Sequence, residues 1–268
     1  MFLSCRTCTN CQMGEEQYCF GGSIATYNSR QRYPHCAEYN AEGGNPTYGG
    51  YSQSIVVDEH FVVTIPDNLD FSKTAPLLCA GITTYSPLIH FGLRPHHRYA
   101  VAGLGGLGHM AVKFGVAFGA HVTVLSRGQG KKESALRDLG AHAYVDVTNA
   151  EEVKAAMGSF DFILNTISVD FDVNLYMRLL KLDGRMVMVG VPGEKLGLYV
   201  HPLIEGRRSL SASMIGGMRE TQEMLDFCGR HNITCECEVI AANQINEAFE
   251  RTVQGDVKYR FVIDISTL

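Results

Sequence analysis

From Arg98 to Ile215 short apolar runs alternate with amphipathic segments, and a glycine-rich hexad stands at the first junction. Tyr99 to Ala102, His121 to Leu125, Ala143 to Val145, Phe160 to Asn165 and Arg185 to Val189 are each short and mostly apolar, as buried parallel strands must be. Leu107 to Phe118, Lys131 to Leu139, Ala150 to Met157 and Leu175 to Leu180 fill the intervals with helical spacing, and Ser209 to Ile215 reads as a sixth strand. Parallel neighbours need crossovers, so this succession predicts a doubly wound α/β sheet.

The hexad Gly103-Leu104-Gly105-Gly106-Leu107-Gly108 follows the first predicted strand and opens the first predicted helix. G-x-G-x-x-G is a weak signal alone, but here each glycine has work in context. Gly103 permits the tight turn, Gly105 lets backbone approach a pyrophosphate, and Gly108 lets helix pack closely on strand. The free amides and positive dipole end of the helix then face the anion. His109, next in sequence, is expected on the helix surface. The bland alternative, a turn that merely packs well, does not account for the strand and helix series around it.

The end of the second strand bears on which nicotinamide cofactor is used. A carboxylate there would bind the ribose hydroxyls and repel a 2′-phosphate, but the strand ends Leu125-Ser126-Arg127, with Lys131 and Lys132 beyond. A hydroxyl and cations favour NADP over NAD. Even if Arg127 and Lys131 are only solvated charges, the absent carboxylate counts against NAD.

Cysteine usage marks a second region. There are nine cysteines, an odd number, and Cys5, Cys8, Cys11 and Cys19 crowd the start as C-x2-C-x2-C-x7-C. That pattern suits a reducing compartment and a structural zinc held by four thiolates, a closed site with no position for substrate. Incidental disulfides or free thiols are the alternative. Cys36, Cys228, Cys235 and Cys237 show no ligand spacing. Around these features, residues 39–51 form a polar, glycine-rich loop, Ser54 to Ile65 is β-branched and alternating and predicts strands, and Phe71 to His90 predicts a long helical bridge. Glu220 to Gly229 reads as a helix and Arg260 to Ile265 as a closing strand.

In a chain of 268 residues, 23 basic against 28 acidic residues leave a net charge of −5, which argues against a nucleic-acid partner or a polybasic membrane anchor. No apolar run reaches the ~20 residues that cross a bilayer, and Met1 to Thr9 has no signal-like apolar core. A cytoplasmic location is expected.

These residues resemble the zinc-dependent medium-chain alcohol dehydrogenases, most closely the cinnamyl alcohol dehydrogenase-like branch, over essentially the whole chain. The resemblance rests on the cysteine lobe with Gly14-Glu15-Glu16-Gln17-Tyr18-Cys19, on Gly49-Gly50-Tyr51-Ser52 and on Pro76-Leu77-Leu78-Cys79-Ala80-Gly81-Ile82-Thr83. It continues through the glycine turn, Leu164-Asn165-Thr166, Val189-Gly190, residues 220–228, Asn246-Glu247-Ala248-Phe249 and residues 259–264.

The resemblance implies a Rossmann domain at 81–217, inserted in a β-rich, GroES-like catalytic domain made from 1–80 and 218–268. It implies hydride transfer between an alcohol or aldehyde and NADP, with a second zinc as Lewis acid. Cys79 matches one ligand of that zinc, and Thr83 matches a residue near the nicotinamide. The glycine turn, Ser126, Arg127, Lys131, Thr166, Gly190, Ser213, Met214 and Ile215 match cofactor contacts, and a homodimer through the last strand is expected. In the family, a cysteine and a His-Glu pair upstream of the lobe complete the catalytic zinc site, and here Met1 stands four residues before Cys5. The catalytic domain is therefore read as N-terminally truncated, with exposed apolar surface around Val56 to Ile65 and Phe261 to Ile265, low stability and no activity alone. An incomplete gene model, a fragment and a natural short form all remain open. His35 and His60 have no ligand-like spacing to Cys79. The competing reading is a non-catalytic NADP-binding remnant that keeps the structural zinc. A zinc-independent reductase like the quinone reductases fits poorly, because those generally lack the cysteine lobe.

Overall fold

The computed structural model describes residues 2–30 and 46–268, so His35 and Cys36 lie outside the described residues. Contacts divide the chain into two compact units, residues 1–82 with 215–268, and residues 83–214. No helix of the described residues is long and apolar enough to cross a membrane.

The second unit is a six-stranded, wholly parallel sheet. In chain order its strands are β1 (Arg98–Ala102), β2 (His121–Ser126), β3 (Ala143–Asp146), β4 (Phe160–Asn165), β5 (Leu180–Met188) and β6 (Ser209–Ala212). Their spatial order is β6-β5-β4-β1-β2-β3, so winding reverses between β1 and β4. The α/β doubly wound reading holds, and the reversal marks where such sheets leave a crevice at the carboxyl ends of their strands. The first helix, α1, spans Gly108–Ala117, and Ala150–Ala156, Val173–Leu179 and His201–Gly206 supply later crossovers. Phe160, Ile163, Met177, Leu179, Leu180 and Met186 form one buried core. Full burial of each such side chain contributes roughly 1.5–3 kcal/mol.

Several elements differ from the periodicity. The Lys131 to Leu139 helix is wound as a π-helical turn at Ser134–Asp138. The fifth strand begins five residues early, at Leu180 rather than Arg185, passing through a left-handed Asp183. The sixth strand stops at Ala212, and Ile215 has a positive φ of 37°, which no strand residue adopts.

In the first unit, Phe2–Leu3 pairs antiparallel with Ile24–Ala25, Tyr27–Arg30 with Pro46–Tyr48, and Glu238–Ala241 runs parallel to Phe261–Asp264. The helix read at Glu220 to Gly229 extends over Met218–His231. Phe71 to His90 is not one helix: a turn at Phe71–Thr74 and a 3-10 turn at Ala75–Leu78 end at Cys79, whose φ of −126° and ψ of −75° break the path before Ala80–His90.

Ser54 to Ile65 forms no strand; its only regular element is the 3-10 turn Glu59–Phe61. Extended residues become a strand only when a neighbour offers a ladder of backbone groups. Here Thr64 N–H donates to Gln222 Oε1 at 2.8 Å and Gln222 Nε2 donates to Thr64 O at 3.0 Å, so a side-chain amide takes the place of a strand. Ile55, Val56 and Val62 are exposed, whereas Phe61 is fully buried. Gln222→Ala should therefore speed hydrogen exchange at the Thr64 amide while costing only about 0.5–1.5 kcal/mol in global unfolding, read by exchange mass spectrometry and urea titration.

Candidate functional site: glycine turn and cysteine lobe

At the end of β1 the chain turns at Gly103, with a φ of +89° that only glycine adopts freely, and its N–H donates to Leu125 O at 2.9 Å. A Cβ on Gly108 would lie 2.1 Å from Gly103 O, so any side chain there would force α1 off the strand end. A Cβ on Gly105 would meet nothing within 4 Å, which leaves backbone bare toward open space. Leu104 is buried, and Gly106 and Leu107 are half-buried. His109 is not on the helix surface. It is fully buried, and its Nδ1 donates at 3.1 Å to Gly105 O, the carbonyl one helical turn back that also accepts its backbone N–H.

The strand ends are laced together at the same level. Thr166 N–H donates to Ala102 O at 2.9 Å, and its Oγ1 donates to Ala102 O at 2.9 Å and Gly103 O at 3.1 Å. Gly190 N–H donates to Asn165 O, and Ser213 N–H to Met188 O, both at 3.0 Å. Met214 is exposed.

Ser126 closes β2 half-buried, with Arg127 exposed beside it. Lys131 Nζ donates to Leu104 O at 2.7 Å, bringing a cation onto the glycine turn. Burial of that ammonium, and then the charge of Arg127, lower its pKa below the usual lysine value. Two cations close enough to repel each other make a position that gains from an anion.

Sequence reasoning missed Asp146, which pairs in register with Ser126. Its carboxylate accepts from Thr148 Oγ1 at 2.6 Å, Thr148 N–H at 2.9 Å and Gly128 N–H at 2.9 Å, and these bonds hold it below the usual carboxylate range. This carboxylate stands one strand away from the end of β2 and is already committed to the loop. No local motif announces it; only the β2–β3 register could have found it.

In the first unit the four thiols of Cys5, Cys8, Cys11 and Cys19 lie within 4.8 Å of one another. Sγ separations of 3.4 Å (Cys8 to Cys11), 3.9 Å (Cys5 to Cys11) and 4.0 Å (Cys8 to Cys19) bracket the roughly 3.8 Å edge of a tetrahedron built on ~2.3 Å zinc–sulfur bonds. Cys8 N–H points at Cys5 Sγ and Cys5 N–H at Cys19 Sγ, donors that favour thiolates. Hydrogen bonds from Thr7 pull the Cys5 thiol down to about 6, while burial pushes Cys11 up to about 12. The donor set fits a closed zinc site.

Cys79 is exposed at the break between helical turns, and Thr83 is buried in the following helix. Among the described residues, Cys79 belongs to no group of three potential ligands, so these residues do not by themselves fit a second zinc. His60 Nε2 lies 3.4 Å from Glu16 Oε1 and takes no part in a ligand cluster.

The second unit is thus a doubly wound sheet with a glycine turn, and the first holds four converging thiols. Residues 106–230 match the zinc-binding dehydrogenase family. The chain is 51% identical over 265 residues to a probable formaldehyde dehydrogenase AdhA of Bacillus subtilis and 52% identical over 266 residues to NADP-dependent alcohol dehydrogenase C 1 of Mycolicibacterium smegmatis, covering 99% of this chain and 73% of each relative. Among solved structures, a cinnamyl alcohol dehydrogenase from Sorghum bicolor superposes with a TM-score of 0.92 at 41% identity, again covering 99% of this chain and 73% of that one. CAD from Helicobacter pylori, complexed with NADP(H), does so at 0.86 and 38%, with the same coverage. The chain belongs to the zinc-binding alcohol dehydrogenase family, a family of oxidoreductases. Cys11→Ser should abolish retention of tightly bound zinc and lower the Tm, checked by metal analysis after dialysis and by thermal unfolding.

Proposed function

We propose that the glycine turn binds NADP(H), that Cys5, Cys8, Cys11 and Cys19 hold a structural zinc, and that the chain is part of an enzyme moving hydride between an alcohol or aldehyde and the nicotinamide. The observation that carries the cofactor reading is Lys131 Nζ on Leu104 O, with Gly105 bare beside it. In this reading the α1 N-terminus and the amides of residues 104–106 meet the pyrophosphate, and Arg127, Lys131 and Ser126 meet the 2′-phosphate. Thr166, Gly190, Ser213, Met214 and Ile215 stand along the nicotinamide half. The cofactor, when bound, supplies the hydride chemistry.

Lys131→Met should weaken NADPH binding about tenfold and NADH binding much less, by fluorescence titration. The sign of the pH effect follows from the lowered lysine pKa. Affinity for NADPH is full while Lys131 is protonated and falls as pH rises through that value, below the ordinary ~10.4. Equal losses for both nucleotides would refute the 2′-phosphate assignment.

A second reading, a protein that binds nucleotide without turnover, is favoured by one observation: Cys79 stands in no group of three ligands among the described residues. The 268-residue chain should then carry about one zinc, bind NADPH and oxidise it at background rate with an aromatic aldehyde. A version extended upstream should gain a second zinc and turnover if Cys79 is a catalytic ligand. The pairing of two chains along β6 and a cytoplasmic location complete this proposal.

A further inference from the structure

The amino ends of β1 and β2 and the approach to β3 enclose an open depression of about 520 Å3, lined by His96, Arg98, Gly119, Ala120, His121 and His142. It lies at the end of the sheet away from the glycine turn, and its four polar side chains all present nitrogen. This is a local concentration of donors in a chain whose net charge is −5.

The arrangement is built rather than incidental. His96 is held at a φ of +67°, uncommon for a residue with a side chain, by its N–H bond of 2.8 Å to Gly119 O. His121 N–H donates to His97 O and His142 N–H to Val122 O, each at 2.8 Å. The His121 and His142 rings stack with centroids 4.9 Å apart. His142 Nδ1 accepts from Val122 N–H at 3.0 Å, so the proton of the neutral ring sits on Nε2, which donates without any need for protonation. The neighbouring carboxylate, Asp161, is occupied by Arg98 N–H at 2.7 Å and by Lys181 Nζ at 2.9 Å. The carboxyl end of α1 also ends near Gly119, but its half charge is outweighed by the full charge of Arg98 with three imidazoles.

We infer that this depression binds a small phosphate-bearing anion. Metal binding is the weaker reading. No three ligand atoms converge here, and His142 Nδ1 is already engaged. The volume exceeds that of a bare phosphate and leaves room for a small organic ester.

The test is titration of the full chain with inorganic phosphate and, separately, with glycerol phosphate, following histidine Cε1–H resonances by NMR with NADPH present at saturation to fill the glycine turn. Saturable shifts confined to His96, His121 and His142 are expected, with binding weakened about tenfold in His121→Gln and in Arg98→Gln. Thermal unfolding of each variant checks that it is folded, and His142→Gln gives an independent arm. Either ligand saturating these signals supports the site, and the tighter of the two identifies bare anion or ester. Absence of saturable shifts, unchanged affinity in folded variants, or saturation by zinc ions and not by phosphate overturns it.

Discussion

A helix can lie against the end of a parallel strand only if both backbones come to within van der Waals contact, and in this chain that approach is made at Gly103 and Gly108. With a Cβ on Gly108 only 2.1 Å from Gly103 O, the start of α1 would be pushed away, and its amides would no longer face the crevice between β1 and β4. The laces from Thr166 to Ala102 and Gly103 depend on that approach. So does the position of Leu104 O, the atom on which Lys131 rests.

The second centre depends on another constraint, the convergence of four thiols beside a small apolar cluster. Leu3, Ile24 and Phe61 are buried with Cys11 and Cys19, and the half-buried Val57 and Met218 pack against them. Hydrogen bonds from Thr7 lower the pKa of the Cys5 thiol whereas burial raises that of Cys11, so one cluster holds thiols in opposed environments.

Much of the nucleotide unit was legible from local pattern. Phe160 to Asn165 was read to the residue, and β1, β2 and β3 to within one residue at an end, because parallel strands buried on both faces are contiguous apolar runs. Ser54 to Ile65 alternates instead and forms no strand, since alternation reports a half-buried face and says nothing about whether a partner edge exists. His109 is buried for a related reason: its place at the start of α1 does not show which face of that helix the tertiary fold covers.

The amino-acid sequence by itself determined the succession of strands and helices, the glycines at the one turn that must be bare, and the spacing of Cys5, Cys8, Cys11 and Cys19. Each of these is a local property of spacing and side-chain size. Only the tertiary structure decided that Lys131 rests on Leu104, that Asp146 is spent on Gly128 and Thr148, and that His96, His121 and His142 share one depression. Apart from the local Asp146–Thr148 bond, those pairings join residues 18 to 46 positions apart through strand register and crossover geometry, which no periodicity within a single element encodes.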